Sequence, residues 1–219
     1  MESKLAEDVL LACGAVDNRH YMVSLDRLIE KFTSALPPNY EKAMISPAAK
    51  VFIGKELFEF LVKLRPKRYQ SDSHLLTRLL DVYNSDDQNA SGGNCIALTA
   101  LYNIIAESFD IPTFTILLDS HILSRIKTGG IVVNVEHTIP TGFGVNEIQR
   151  RRDEHPIDLS QLPSFHNRAI VAETYYTTAE ELYHMGDYDA SWELNEKAIS
   201  IYPQQAHYKL RNMLRGMGD

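Results

Sequence analysis

Cysteine is scarce in this chain, since only Cys13 and Cys95 occur among its 219 residues. Two cysteines are too few for a disulfide framework and exclude a zinc site built from several cysteines. Gly92-Gly93 lacks the lysine and the spacing of a phosphate-binding loop. The histidines lack the paired spacing that is typical of metal ligands. We therefore expect neither a metal nor another cofactor.

Long apolar runs are also missing. No run approaches ~18 residues, so no transmembrane helix is expected. The stretch "VLLAC" at 9–13 imitates the end of a lipoprotein signal, but it is short and acidic residues precede it. Cys13 is therefore interpreted as part of a helix core. The sequence predicts a cytoplasmic protein that does not bind membranes.

Positive charge is in deficit, with a formal net charge of -7. This balance argues against non-specific nucleic-acid binding. The single basic cluster, residues 150–152, is followed at once by Asp153 and Glu154, which is typical of a solvated loop. We expect a protein or peptide as substrate or partner and no nucleic acid. The sequence does not predict an oligomeric state.

Apolar periodicity divides the chain into three parts: an N-terminal helical segment (1–45), a core (46–168) and a helical tail (169–219). Ser24 is predicted as an N-cap. Four helical patterns precede the centre of the chain, at residues 2–15, 24–35, 48–64 and 71–85.

The centre of the chain changes from helical to extended patterning. The stretch "NSDDQNASGG" leads into a helix that Cys95 opens and that ends before Pro112. Short β-branched segments follow, with Gly129-Gly130 as a hairpin turn between the last two; they cover residues 113–119, 121–126 and 131–138. The sequence thus predicts an α+β fold with the cysteine helix packed on a small antiparallel sheet.

Residues 172–203 resemble one tetratricopeptide repeat. The aromatic, small and turn residues stand at the positions typical of such a repeat: Tyr175, Ala179, "GDYD" at 186–189, Ser191, Ala198 and Pro203. A helix over 206–215 is predicted to cover the exposed face of this helical hairpin. Because a single repeat cannot bury its own apolar face, we expect the hairpin to pack on the core.

Cys95 is the candidate nucleophile. The thiolate is the reactive form of cysteine, and the unpaired N–H groups at a helix N-terminus favour it. Those N–H groups can also bind the oxyanion of an acyl-transfer intermediate. Glycines just before Cys95 allow a tight turn and, on this interpretation, the close approach of a substrate carbonyl.

A cysteine nucleophile needs a base and a group that orients the base. Alternation places His121 on the same strand face as Leu123, and Glu136 on the same face of the next strand as Asn134. Pairing 121–126 with 131–136 would put His121 directly opposite Glu136. The sequence therefore predicts a Cys95, His121 and Glu136 triad.

These motifs together resemble the transglutaminase-like cysteine superfamily, with its papain-like core. The resemblance rests on "GGNCIALTALYNIIAESFDIPT", a strand starting at "SHILSRI" and a strand ending in "NVEHT", followed by the tetratricopeptide-like tail of one bacterial branch. It implies Cys95 as nucleophile, His121 as general base and acid, and Glu136 as orienting carboxylate. It also implies a thiol protease, amidase or acyltransferase.

The chain departs from that family's pattern in several places. The acid is Glu136 rather than the commoner aspartate, so Asn134 is an alternative group to orient His121. Gln88 is an alternative oxyanion donor. Asp110 stands where glycine is usual. A catalytically inactive interaction module that uses the helical hairpin is therefore the second hypothesis, although the sequence favours an enzyme that hydrolyses its substrate.

Overall fold

The computed structural model describes residues 3–149 and 155–216, so the basic cluster at 150–152 lies outside the described residues. The helices are α1 (Lys4–Ala12), α2 (Arg19–Ala35), α3 (Tyr40–Ala43), α4 (Pro47–Leu64), α5 (Leu76–Asn84), α6 (Cys95–Ser108), α7 (Arg168–Met185), α8 (Tyr188–Ile201) and α9 (Gln205–Arg215). The strands are β1 (Thr113–Leu118), β2 (His121–Thr128), β3 (Ile131–Val135), β4 (Glu147–Ile148) and β5 (Ile157–Asp158).

A three-stranded antiparallel sheet in the order β1-β2-β3 forms the β part of the fold, and β4 and β5 pair separately. Gly129 and Gly130 make the two-residue turn that pairs Thr128 with Ile131. Both glycines have positive φ angles, 53° and 82°, a conformation that glycine adopts without steric cost. The predicted α+β class and the predicted hairpin turn are confirmed.

Helix α6 is the centre of the molecule, because every residue from 96 to 106 is buried. It packs on one face of the sheet, where the Thr99 hydroxyl donates to the Ile122 carbonyl and the Ser124 hydroxyl donates to Asn103 Oδ1. Leu123 belongs to a separate cluster with Ile116 and Leu159. The predicted packing of the cysteine helix on a small antiparallel sheet is confirmed.

Two helix starts differ from the sequence prediction. Helix α2 begins at Arg19, and Ser24 lies buried inside it, where its hydroxyl donates to the His20 carbonyl rather than capping the helix. Helix α5 begins only at Leu76, because the preceding residues bind the loop before Cys95. Helix α3 and the β4–β5 pair are too short to produce a periodic pattern, and they were not predicted.

The C-terminal helices form the predicted hairpin with its covering helix. Small buried residues let α7 and α8 approach, and the Ser191 hydroxyl donates to the Ala179 carbonyl over 2.7 Å. Leu210 and Leu214 of α9 pack against Ala179, with Trp192 beside them. Since α7 also packs against α1 and α6, the predicted docking of the hairpin on the core is confirmed.

One hydrophobic core joins all three parts of the chain. A single cluster of buried residues includes Leu10 from α1, Leu57 from α4, Ile126 from β2 and Ile170 from α7. Apolar contact therefore runs across both predicted segment boundaries, at residues 45 and 168. Within residues 3–149 and 155–216, no helix has the length and apolar character needed to span a membrane.

Candidate active site

Cys95 is the first residue of α6 and is half-buried. The side chain of Asn94 caps the helix, since its Oδ1 accepts from the N–H groups of Ile96 (2.9 Å) and Ala97 (3.4 Å). No backbone carbonyl among the described residues accepts from the Cys95 N–H. That N–H remains able to bind an oxygen next to the sulfur.

The loop before Cys95 is held by backbone hydrogen bonds to the segment between α4 and α5. The Arg68 carbonyl accepts from the N–H groups of Gly92 (3.2 Å) and Gly93 (3.1 Å). The Asn94 N–H donates to the Ser73 carbonyl at 2.6 Å. The position of the thiol is therefore set by hydrogen bonds to the segment between α4 and α5 as well as by α6.

Gly92 and Gly93 leave room for α5. A Cβ atom at Gly92 would lie 2.7 Å from Val82 Cγ2, and one at Gly93 would lie 2.8 Å from Leu79 Cδ1. This packing gives both glycines a structural reason, and the close approach of a substrate carbonyl to them stays a prediction. They allow α5 to pack closely against the loop.

His121 and Glu136 form a hydrogen-bonded pair, although not through the predicted register. The strands pair Ser124 with Val135, so His121 and Glu136 are not directly opposite. The predicted register is wrong by two residues, because the turn joins Thr128 to Ile131. The contact instead forms where the chain leaves β3, and His121 Nε2 hydrogen-bonds to Glu136 Oε2.

Glu136 is held in place on every side. Its Oε1 accepts from the Thr138 N–H (2.8 Å) and from the Thr138 hydroxyl (2.7 Å). Its backbone N–H donates to the Gly142 carbonyl at 2.8 Å. A Cβ atom at Gly142 would lie only 1.8 Å from the Glu136 carbonyl oxygen, so the turn that returns to Glu136 requires glycine.

The charges of this pair support each other. Burial opposes the charged form of His121, but hydrogen bonds to Cys95 and Glu136 outweigh burial and raise its pKa to about 9. Burial likewise opposes ionisation of Glu136, yet the hydrogen bond and charge of His121, with Thr138, lower its pKa. Both directions describe an imidazolium beside a carboxylate at neutral pH.

The Cys95 side chain lies close enough to the imidazole to raise the pKa of His121. Since Nε2 is occupied by Glu136, Nδ1 is the nitrogen that remains for the sulfur. The three predicted residues are thus brought together as sulfur, imidazole and carboxylate. Chemically, this arrangement can activate the Cys95 thiol. The imidazole can also transfer a proton to a leaving group, or accept one from an attacking group, on the carbon that the sulfur attacks.

The two alternative residues lie in other surroundings. Asn134 Oδ1 accepts from Arg125 Nε at 2.7 Å, and its Nδ2 donates to the Val145 carbonyl, so the prediction that it orients His121 is wrong. Gln88 is exposed in the turn after α5, and no contact joins it to Cys95 among the described residues. Gln88 stays a prediction without structural support.

His137, next to Glu136, points into the core. Its Nε2 lies 2.7 Å from the Ser124 hydroxyl, and burial lowers its pKa to about 3. Asp110 has a φ angle of 51° and forms an ion pair with Lys50. An aspartate can adopt this left-handed conformation, so the helix end is preserved without glycine.

Sequence reasoning missed three residues around the pair. Thr138 binds Glu136, and it carried a signal as the third residue of "EHT". Arg68 is buried and its Nη2 donates to the His137 carbonyl at 2.8 Å. Tyr69 follows Arg68 and pairs with Gly93 through a β-bridge. The last two come from a loop with no periodic pattern, so the sequence alone offered no signal for them.

A cavity of about 330 Å³ borders the histidine and glutamate side of the site. Its lining contains both polar and apolar residues: Ser120, His121, Glu136, Thr138, Ile139, Val145 and 147–149. Cys95 is not part of this lining. The cavity therefore borders the imidazole and the carboxylate.

A larger cavity, of about 700 Å³, lies elsewhere. It is bounded by α1, the start of α7 and the segment after α6, and it contains none of the predicted site residues. Its rim carries both acidic and basic groups, including Asp8 and Arg168, above an apolar floor with Val171. Size alone does not mark the reactive site here, since the sulfur and imidazole are at the other end of α6.

No group of histidine, cysteine, aspartate and glutamate side chains in the described part of the chain could hold a metal ion. Searches of protein-family models, curated proteins and solved structures find no match to this chain. Evidence for function therefore comes from the site itself.

Proposed function

We propose that this protein is a cysteine hydrolase or acyltransferase that acts on a peptide or carboxamide through Cys95, His121 and Glu136. The observation that carries the proposal is the imidazole of His121, which hydrogen-bonds to the Glu136 carboxylate and lies close enough to the Cys95 thiol for that thiol to raise its pKa. The order of cysteine helix, histidine strand and glutamate turn, with the helical hairpin behind it, is also what a transglutaminase-like, papain-like core would have.

In the first half of the reaction, the Cys95 sulfur attacks the substrate carbonyl carbon and the carbonyl electron pair moves onto oxygen. The oxyanion lies near the Cys95 N–H. Collapse of the intermediate breaks the carbon–nitrogen bond, and His121 donates its proton to the leaving amine. A thioester on Cys95 remains, and Glu136 keeps the imidazole oriented.

In the second half, neutral His121 accepts a proton from an incoming nucleophile, which attacks the thioester carbon. The carbon–sulfur bond breaks and the sulfur leaves as thiolate. Water as nucleophile releases a carboxylic acid, whereas an amine yields a new amide. The 330 Å³ cavity borders His121, which gives an incoming nucleophile a path to the imidazole.

A non-catalytic interaction module is the second candidate. Met185 and Tyr188, on either side of the hairpin turn, are 78% and 41% exposed, which favours a role of this end of the molecule in protein contact. The two candidates differ in the reactivity that they require of Cys95.

Alkylation by iodoacetamide near pH 6 tests the proposal. We expect Cys95 to react much faster than a small free thiol, and His121→Ala to remove this advantage. The extent of reaction at each cysteine is measured by peptide mass spectrometry. Cys13 serves as an internal reference, since burial raises its pKa.

His184→Ala is the matched control, because His184 is an exposed histidine on the hairpin. It should leave the alkylation rate of Cys95 unchanged. If Cys95 reacts no faster than a free thiol, and His121→Ala has no effect, the enzyme proposal fails and the interaction module is favoured.

A further inference from the structure

Tyr69 lies on a segment that is tied to both halves of the candidate site. The preceding residue, Arg68, accepts the N–H groups of Gly92 and Gly93 at its carbonyl, just before Cys95. The guanidinium of Arg68 donates to the carbonyl of His137, which follows Glu136. Tyr69 itself forms the β-bridge with Gly93. Its backbone therefore lies between the thiol loop and the glutamate turn.

This segment is rigidly anchored. The Gln70 N–H donates to the Gly93 carbonyl at 2.9 Å, and the Ser73 hydroxyl donates to the Gly92 carbonyl at 2.5 Å. Arg65, at the other end, is buried and donates to the carbonyls of Val82 and Tyr83. A side chain that projects from this segment keeps a constant position relative to Cys95.

The Tyr69 side chain is accessible and lies close enough to Cys95 and Glu136 for their charges to act on its phenol. The residue is 47% exposed, and no hydrogen bond of its hydroxyl is found among the described residues. Partial burial raises its pKa, and the nearby charges of Cys95 and Glu136 raise it further. The hydroxyl is therefore protonated at neutral pH and can donate a hydrogen bond.

Other tyrosines near α6 cannot take this role. The Tyr102 hydroxyl donates to the Gly54 carbonyl, and the Tyr83 hydroxyl donates to the Leu61 carbonyl, both in the core. Gln88, the oxyanion donor that the sequence offered, is exposed in a turn. Among these side chains, Tyr69 alone combines an unengaged donor with a position beside the thiol loop.

We propose that the Tyr69 hydroxyl is the second hydrogen-bond donor to the oxyanion formed when Cys95 attacks an acyl substrate, beside the Cys95 N–H. The inference rests on the proposed function, because an oxyanion forms only in acyl transfer. The hydrogen bond strengthens as the carbonyl electron pair moves onto oxygen, so it stabilises the transition state more than the substrate.

Two reagents separate this role from a general effect on the thiol. Iodoacetamide is attacked at its methylene carbon: a carbon–sulfur bond forms, iodide leaves and no oxyanion appears. p-Nitrophenyl acetate is attacked at its carbonyl carbon: an oxyanion forms, then collapses to an acetyl thioester with release of p-nitrophenolate. A donor to the oxyanion affects the second reaction only.

The experiment compares the full-length protein with Tyr69→Phe, which keeps the ring and removes the hydroxyl. We expect the rate of the p-nitrophenolate burst to fall by about 10²-fold, while the rate of Cys95 alkylation changes by less than about 2-fold. Tyr208→Phe, at an exposed tyrosine on α9, is the control and should change neither rate. Circular dichroism and the thermal midpoint verify that each variant is folded.

The outcomes distinguish the two proposals. An unchanged burst rate in Tyr69→Phe, with fast and His121-dependent alkylation in the parent protein, overturns the role of Tyr69 and leaves the proposed function standing. Equal loss of both rates also overturns it, because Tyr69 would then act on the thiol itself. Slow alkylation that is independent of His121 removes both proposals.

Discussion

His121 and His74 each lie beside a glutamate, one at the start of β2 and the other in the loop before α5. His74 Nδ1 is 3.2 Å from Glu181 Oε1, and its Nε2 is 2.9 Å from the Thr178 hydroxyl. Burial lowers the pKa of His74 despite Glu181, whereas the partners of His121 raise its pKa to about 9.

The two glutamates explain the difference. The Glu136 side chain is 5% exposed, whereas that of Glu181 is 47% exposed, so water weakens the attraction between Glu181 and an imidazolium. The second nitrogen of His74 contacts a neutral hydroxyl, while the second nitrogen of His121 is left for the Cys95 thiol. An imidazolium is thus stabilised where its carboxylate partner is held away from water.

The largest effect is expected from a substitution that displaces Glu136 and so disrupts its pairing with His121. Gly142→Ala would force a Cβ atom into the Glu136 carbonyl, and we expect a loss of several kcal/mol in the free energy of unfolding. Gly144→Ala is the matched control: Gly144 has a φ angle of 80° but open space around it, so only about 1 kcal/mol should be lost. Urea unfolding measures both; equal losses would contradict the steric explanation.

Neutralising each glutamate in turn should have the next largest effect. We expect Glu136→Gln to slow alkylation of Cys95 by iodoacetamide at pH 6 by about 10-fold or more, because His121 loses the charge that keeps it protonated. Glu181→Gln should leave the rate unchanged, since His74 does not contact the thiol. A similar decrease of the alkylation rate in both variants would show that the effect is not specific to the pair of His121 and Glu136.

The pH dependence of stability should differ in sign between the two histidines. The pKa of His121 is raised from 6.5 to about 9, so its contribution is complete below pH 6.5 and is lost as the pH rises to about 9. The pKa of His74 is lowered, so its contribution is present above pH 6.5 and is lost as the pH falls below that value.

Urea unfolding of His121→Gln and His74→Gln at pH 5.5, 7 and 9.5 measures this difference. Relative to the parent protein, His121→Gln should be most destabilising at pH 5.5 and His74→Gln least destabilising there, with changes on the order of 1 kcal/mol. If the loss in the free energy of unfolding changed with pH in the same way in both variants, His121 and His74 would not have opposite charge states at neutral pH.

The sequence predicted the elements that have a long period or a distinctive turn. The apolar pattern of α6, the two glycines of the β2–β3 turn and the helix that covers the hairpin all proved correct. The pairing of His121 with Glu136 followed from strand alternation, which preserves the face even when the register shifts by two residues. The predicted contact between His121 and Glu136 is therefore present although the predicted register of β2 and β3 is wrong.

The remaining features depend on contacts between distant parts of the chain. Ser24 has the chemistry of an N-cap, but five preceding residues joined the helix because its face packs on the core. The reason for Gly92 and Gly93 became visible only with α5 beside them. Arg68 and Tyr69 lie in an aperiodic loop, and such a loop acquires its place only from tertiary hydrogen bonds.

The shared hydrophobic core has a thermodynamic consequence for the site. Because α7 packs against α1 and α6 within one cluster of buried side chains, we expect the helical hairpin and the cysteine helix to unfold together. Local opening of the hairpin would expose the side chains that support α6. The free energy that orders Cys95 is therefore supplied in part by residues near the other end of the chain.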